Sequence, residues 1–276
     1  DMAKKENLRF SKVISIGNKM QIDEIKLIDY FKTDRKTRVL AFYLEGIKEG
    51  KKFIEAAKKV FPQKPIVVLK AGKTEKSQKA IISHTGSLAG SDEIINTVFK
   101  GAGIVRAENL EHFIGLLKIV SSVNFPDNNE VLIVTNAGGP GILAADAFKE
   151  KQIKISDFNE EVKNKLKLIL PVESSVENPV DLLGDALEDR YEKVLEVLQK
   201  EKAGSVICIL TPQNQTPVEK IAQKIAEFKK KTKKAVLAVF IGKDKVFKGI
   251  RFLARKNIPN FSFPDQAVQA LDSYFQ

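Results

Sequence analysis

The sequence is poor in the residues that staple or metallate small folds. Its single cysteine, Cys208, has no partner for an internal disulfide. One cysteine and two histidines are too few for a structural zinc cluster, so no metal site is expected, and the cysteine usage fits a reducing, cytoplasmic setting. No apolar run approaches the ~20 residues of a membrane-spanning helix, and lysines interrupt nearly every window. The first six residues, DMAKKE, contain no signal-peptide apolar core. A chain of 276 residues that is 43% hydrophobic and 29% charged is otherwise ordinary for a globular protein. It is long enough for one large domain or two of about 140 residues.

The net charge of +11 is unevenly spread. Up to Asn124 there are 23 Lys+Arg against 14 Asp+Glu, and from Phe125 onward 23 against 21. The excess consists of lysines scattered among acids on helix-like stretches, such as Lys51, Lys52, Lys58 and Lys59. That is the pattern of a solvated face. It is compatible with a phosphate-rich small ligand or an acidic protein partner. Nucleic acid is not expected, because no aromatic-rich basic strand or basic recognition helix accompanies it.

Apolar runs alternate with amphipathic stretches along the chain. Residues 10–16 (FSKVISI) read as a buried strand, 23–31 as a helix, 39–44 as a strand, 51–61 as a helix and 65–69 as a strand. A polar segment covers 71–90. It is followed by helix 91–99, a short strand at 103–105 and helix 110–121. After the polar break FPDNN at 125–129 the pattern restarts, with strand 130–135, helix 143–150, a short strand at 154–156 and helix 160–170. A loop at 171–186 is predicted next. The rest reads as helix 191–200, strand 205–210, helix 217–230, strand 235–241, helix 246–256, strand 259–263 and helix 264–275. Such alternation predicts two doubly wound α/β domains with parallel sheets, 1–125 and 126–276, each opening with strand, tight turn and helix. Ligands in such folds sit beyond the carboxyl ends of the strands.

Three stretches at those ends carry candidate chemistry. His84 lies in SHTGSLAGS, read as a small polar loop entering a helix. A neutral imidazole there is a competent nucleophile toward phosphorus. Thr85, Gly86 and Ser87 would supply hydroxyls and backbone N–H groups at the helix N-terminus, a natural anion site. A surface histidine in a flexible turn explains the same string. The second stretch is TNAGGPG, where Asn136, Gly138, Gly139 and Gly141 follow a buried strand and let backbone approach a phosphate. It has neither the spacing of a dinucleotide fingerprint nor the lysine of a Walker A loop, and an ordinary tight turn is the competing reading. The third is Glu45, ending the strand AFYLEG, where a carboxylate can fix a histidine's tautomer and raise its basicity. Taken by itself, a plain surface glutamate ending a strand is the better reading.

Gly17 and Asn18, in the strand-end turn SIGN, line the same edge. His112 falls inside a helical pattern and reads as structural, and Cys208 inside SVICIL reads as a small buried hydrophobe. No Ser-His-Asp order, paired carboxylates or metal-ligand spacing stands out.

Six blocks in order, SIGNKMQIDEIKLIDYF, VLAFYLEGIKEGKKFIEAAK, PIVVLKAGKTEKSQKAIISHTGSLAGSD, GAGIVRAENLEHF, VLIVTNAGGPGILAADA and ENPVDLLGDA, resemble the nucleoside-diphosphate-forming acyl-CoA synthetases. That is the superfamily of succinyl-CoA synthetase, and the likeness is greatest to its ADP-forming acetate–CoA ligase type. The resemblance implies two flavodoxin-like domains. It also implies that His84 is the phosphorylated histidine and Glu45 the glutamate that holds it. The helices near Thr85–Ser87 and Gly139–Gly141 are then those whose N-termini converge on the phosphohistidine. The implied reaction turns acyl-CoA and phosphate into acyl phosphate, moves the phosphoryl group to His84, and delivers it to Mg-ADP at an ATP-grasp site. CoA and Mg-ADP/ATP are thus substrates, and no tightly bound cofactor is expected.

The family's alpha chain carries a Rossmann-like CoA-binding domain ahead of the SIGN segment, which here begins at residue 15. The chain corresponds to the two central domains and is expected to be a fragment or a split-gene product. It would work in a hetero-oligomer with an ATP-grasp beta subunit or domain and a CoA-binding domain. A non-catalytic regulatory module, as in ligase-like regions fused to acetyltransferases, is the alternative; retention of His84 argues for catalysis. Acyl specificity and the choice of ADP over GDP are not legible.

Overall fold

A computed structural model describes residues 3, 6–61, 63–85 and 92–275, with the side chains of 81–85 excepted. The chain divides into two compact units, Asp1–Ser121 and Ser122–Phe275.

In the first unit, helix α1 (Glu24–Lys32) starts where the Asp23 carboxylate accepts the Lys26 amide at 2.9 Å, a side-chain N-cap. Strand β1 (Leu40–Leu44), helix α2 (Gly50–Val60), strand β2 (Ile66–Lys70), helix α3 (Glu75–Thr85), helix α4 (Asp92–Gly101), strand β3 (Ile104–Ala107) and helix α5 (Leu110–Ser122) follow. The three strands are parallel in the order β1-β2-β3. One face of the sheet packs Leu40, Leu44, Ile66, Val68 and Ile104 against Ile28, Phe31, Phe53, Ala57 and Phe99. Phe53 is fully buried, with ring centroids 6.2 Å from Phe42 and 6.0 Å from Phe99. Burying such a side chain stabilises by roughly 1.5–3 kcal/mol.

Two expectations fail in this unit. Residues 10–16 form no strand, and Phe10, Val13 and Ile14 are exposed. Ser11 Oγ bonds Thr37 Oγ1 (2.7 Å) near the start of the segment, and the Lys48 ammonium donates to the Asn18 carbonyl (2.9 Å) just beyond its end. The ladder of β1 runs with β2. An apolar run becomes a strand only where its backbone forms a ladder with a neighbour, and residues 10–16 are held by side-chain bonds instead. The second failure is the segment 71–90, read as polar loop, which contains α3. Thr74 caps it, with Oγ1 accepting the Ser77 amide at 3.2 Å and the Thr74 amide donating to Ser77 Oγ at 3.0 Å. Glu75, Lys76, Gln78, Lys79 and Ala80 are good helix formers despite their polarity.

The second unit runs β4 (Glu130–Thr135), α6 (Gly138–Asp146), β5 (Lys154–Ile155), α7 (Glu160–Ile169), β6 (Val180–Asp181), α8 (Glu188–Leu198), β7 (Ser205–Leu210), α9 (Val218–Lys231), β8 (Ala235–Phe240), α10 (Lys243–Arg255), β9 (Asn260–Phe261) and α11 (Pro264–Phe275). All strands are parallel in the order β5-β4-β7-β8-β9, with β6 also on β4. That is the 2-1-3-4-5 order of flavodoxin-like sheets. Leu132, Val134, Val206, Cys208, Val236 and Ala238 face a core shared with α7, α8, α9 and α10. Alternation sends Val131, Ile133, Ile207, Ile209, Leu237 and Val239, all fully buried, to the other face, where α6 and α11 lie. Between β5 and β6 the Asn178 side chain substitutes for a strand. Its Oδ1 accepts the Ile133 amide and its Nδ2 donates to the Val131 carbonyl, each at 2.9 Å.

Among the described residues no helix is long and apolar enough to cross a membrane.

Candidate functional site

The carboxyl edge of the first sheet is built around the turn after β1. Glu45 follows the last residue of β1 directly and is half-buried. The Ala71 amide donates to the Leu44 carbonyl at 2.9 Å, which joins the ends of β1 and β2. Lys70, the last residue of β2, is 2% exposed. Its ammonium donates to the Glu45 carbonyl at 2.7 Å and to the Ala71 carbonyl. Burial holds the Lys70 ammonium below its ordinary pKa, and the neighbouring Arg106 guanidinium adds to the effect. Lys19, in the left-handed region at φ 53°, donates to the Gly46 carbonyl at 2.6 Å and pairs with the buried Glu24 carboxylate at 3.0 Å. Arg106 on β3 reaches the first residue of α4, with Nη2 on the Asp92 carboxylate and Nη1 on the Asp92 carbonyl at 3.3 Å.

His84 and Thr85 are the last two residues of α3. The histidine is therefore helical rather than in a loop, while the helix start expected at Thr85–Ser87 lies at the edge of the described residues. Their side chains lie outside the described atoms, and Gly86 and Ser87 outside the described residues. Gly17 is exposed with open space around it, and the Asn18 carbonyl is held by Lys48.

In the second unit the edge is formed by the ends of β4, β6 and β7. Asn136 is fully buried and its amide is committed to Thr211: Oδ1 accepts the Thr211 amide at 2.8 Å and Nδ2 donates to the Thr211 carbonyl at 2.9 Å. Helix α6 begins at Gly138, five residues earlier than its apolar pattern suggested, because two glycines and Pro140 fit the first turn without apolar side chains. Ala137 precedes it and offers no side-chain cap. The Gly141 amide already donates inside the helix, to the Ala137 carbonyl at 3.3 Å. The first-turn amides of Gly138 and Gly139 are those the helix itself leaves for an acceptor. A Cβ on Gly139 would meet nothing, whereas one on Gly141 would lie 3.0 Å from Thr135 Cγ2. Gly139 thus faces open space, while Gly141 serves close packing of α6 on β4. Asp181, at the end of β6, stands beside this terminus, its Oδ2 3.2 Å from where a Gly138 Cβ would be.

Lys19, Lys70, Arg106 and Asp181 escaped the sequence reading. Each is a charged residue at a strand or turn end, and only the backbone carbonyls and termini they reach distinguish them from solvated charges. His112 is structural as read: its Nδ1 accepts the Glu108 amide at 3.2 Å and it is buried in α5. Among the described residues no cluster of three or more His, Cys, Asp or Glu side chains is placed to hold a metal. An open cleft near Asp127, Lys202 and Lys231 lies at the amino ends of β7 and β8, away from the edge described above.

Both sheets thus present uncommitted amides or charged groups beyond the carboxyl ends of parallel strands, which defines an α/β protein of the ligand-binding doubly wound class. The chain belongs to the CoA-ligase family: residues 131–275 match the Ligase-CoA domain, and residues 1–120 match the succinyl-CoA ligase-like flavodoxin domain. It is 42% identical to the ADP-forming acetate–CoA ligase of Methanocaldococcus jannaschii, covering 100% of this chain and 40% of that protein. It is 35% identical to the alpha subunit of ADP-forming acetate–CoA ligase II of Pyrococcus furiosus, covering 96% of this chain and 59% of that subunit. The fold superposes with a TM-score of 0.91 and 31% identity on the Ca. Korarchaeum cryptofilum dinucleotide-forming acetyl-coenzyme A synthetase 1, solved with phosphate and ADP, covering 99% of this chain and 60% of that one. The chain therefore spans about two fifths of its single-chain relative and three fifths of the subunit it matches.

Proposed function

We propose that this chain is the phosphohistidine-bearing part of an ADP-forming acyl-CoA synthetase, with acetyl-CoA the family's usual substrate. Phosphate displaces CoA from the acyl thioester, giving acyl phosphate and free CoA. An imidazole nitrogen of His84 then attacks phosphorus, an N–P bond forms, and the carboxylate leaves. Mg-ADP takes the phosphoryl group, forming ATP and restoring the imidazole.

Such a transfer asks the protein mainly for positioning and charge stabilisation. Glu45 holds the imidazole by accepting from its second nitrogen, which keeps the attacking nitrogen unprotonated and stabilises positive charge on the ring as the N–P bond forms. The amides of Gly138 and Gly139 at the uncapped start of α6 receive phosphate oxygens. The chain's own residues supply the nucleophile and the anion site, while CoA and the nucleotide are bound by a CoA-binding domain and an ATP-grasp subunit or domain in a cytoplasmic hetero-oligomer. The observation that carries the reading is the match over 98% of the chain to ADP-forming acetate–CoA ligase I of Archaeoglobus fulgidus, at 38% identity, in a sequence that carries both His84 and Glu45.

The test is intact-mass spectrometry at neutral pH of the chain mixed with an ATP-grasp beta subunit of this family and Mg-ATP. An acid-labile gain of one phosphoryl group, absent in His84→Ala and reduced about tenfold in rate in Glu45→Gln, is expected; ~1.4 kcal/mol of lost stabilisation corresponds to that factor. No gain with a beta subunit shown to be active would sink the reading.

A further inference from the structure

Lys70 occupies a position where an apolar side chain would be the ordinary choice. It ends the central strand of its sheet, after Ile66, Val67 and Val68, and is itself 2% exposed. Burying an ammonium there is costly unless its donors are satisfied. The acceptors it reaches are the backbone carbonyls of Glu45 (2.7 Å) and Ala71. The next carbonyl along, that of Gly46, is held by a second ammonium, Lys19 Nζ, at 2.6 Å. Lys19 is braced in turn by the buried Glu24 carboxylate. Two consecutive carbonyls, those of Glu45 and Gly46, are therefore gripped by cations arriving from different elements, one from β2 and one from the turn before α1. A turn so held has little freedom to rotate its peptide planes, and the Glu45 side chain leaves from the middle of it.

We infer that Lys70 and Lys19 are positioning residues that fix the Glu45 carboxylate for its contact with the reactive histidine. This rests on the reading that Glu45 holds His84. The charged groups around the turn include Lys19, Lys48, Glu49, Lys70, Arg106, Asp92 and Glu24, and they make the sign of the effect diagnostic. Removing a lysine's charge alone favours a protonated imidazole nearby and raises its titration midpoint. Displacing the Glu45 carboxylate does the opposite and lowers it.

The chain has only two histidines, so NMR titration of the imidazole Cε1–H signals of the full chain resolves His84, assigned by its loss in His84→Ala, with His112 as internal reference. Glu45→Gln should lower the His84 midpoint by about one pH unit. Lys70→Met and Lys19→Met should each lower it too, and neither should lower it further in a Glu45→Gln background. Lys19→Met, at the less buried side chain, carries the test where Lys70→Met does not fold. If Glu45→Gln moves the midpoint but the lysine variants leave it unchanged or raise it, the positioning role is wrong and the Glu45–His84 pair stands. An unmoved midpoint in Glu45→Gln overturns the pair and the positioning role together.

Discussion

Asn136 and Thr211 sit at the ends of neighbouring strands, and the Asn136 side-chain amide satisfies both the N–H and the C=O of Thr211, at 2.8 and 2.9 Å. In a buried setting these two bonds extend the pairing beyond the ladder, which ends at the Thr135–Ile209 pair. Asn136→Ala strands both backbone groups, so a loss of about 2–4 kcal/mol is expected in urea unfolding. Asn136→Asp keeps the acceptor but loses the donor and buries a charge, and should be no better.

The two glycines of α6 that differ in surroundings should separate stability from ligand binding. Gly141→Ala pushes a methyl to 3.0 Å from Thr135 Cγ2, with Pro179 behind it at 3.7 Å. It should cost about 1–3 kcal/mol. Gly139→Ala meets no atom and gains helix propensity, so its thermal midpoint should hold or rise slightly. Any effect it has on phosphoryl transfer would then come from crowding the proposed anion site. Thermal melts and the mass-spectrometric assay, run on both variants, read the two effects separately.

Asp34 ties the exposed segment before α1 to the body of its unit. The Lys12 ammonium and the Thr37 hydroxyl, as hydrogen-bond donors, lower its carboxyl pKa to about 2. Its folded pKa lies below the unfolded value of about 3.9. The contribution is therefore fully present above pH ~4 and lost as pH falls through the folded value. Lys12→Ala should return the Asp34 carboxyl toward the ordinary range in an NMR titration. Solvent reaches this pair, so the shift should shrink in high salt.

Cys208 is fully buried on β7, and burial pushes its thiol up to about 12. A protonated, inaccessible thiol does not react. Iodoacetamide at pH 8 should leave the native chain unlabelled and add one carbamidomethyl group once the second unit is unfolded in urea. Rapid labelling of native protein would show that β7 opens.

Strands β4 and β7 and helix α11 fall on the residues their patterns predicted, 130–135, 205–210 and 264–275. Strands covered on both faces have no polar side to confuse the reading, so they appear as unbroken apolar runs. The glycine turn after β4 and the carboxylate after β1 were legible for the related reason that strand ends are where apolar runs stop. Residues 10–16 have the composition of a strand without the ladder, because pairing depends on which backbone edge lies alongside. Helix α3 has the ladder without the amphipathic signal, because its stability draws on capping and helix-forming polar residues. Lys19, Lys70 and Arg106 look like solvated charges until the turns fold back over them. Local composition determined which segments of this chain are strands and helices wherever burial was two-sided; the grip of Lys70 and Lys19 on the Glu45 turn and of Asn136 on Thr211 was decided only by tertiary structure, because a hydrogen bond between residues distant in sequence exists only once the sheet has brought their backbones together.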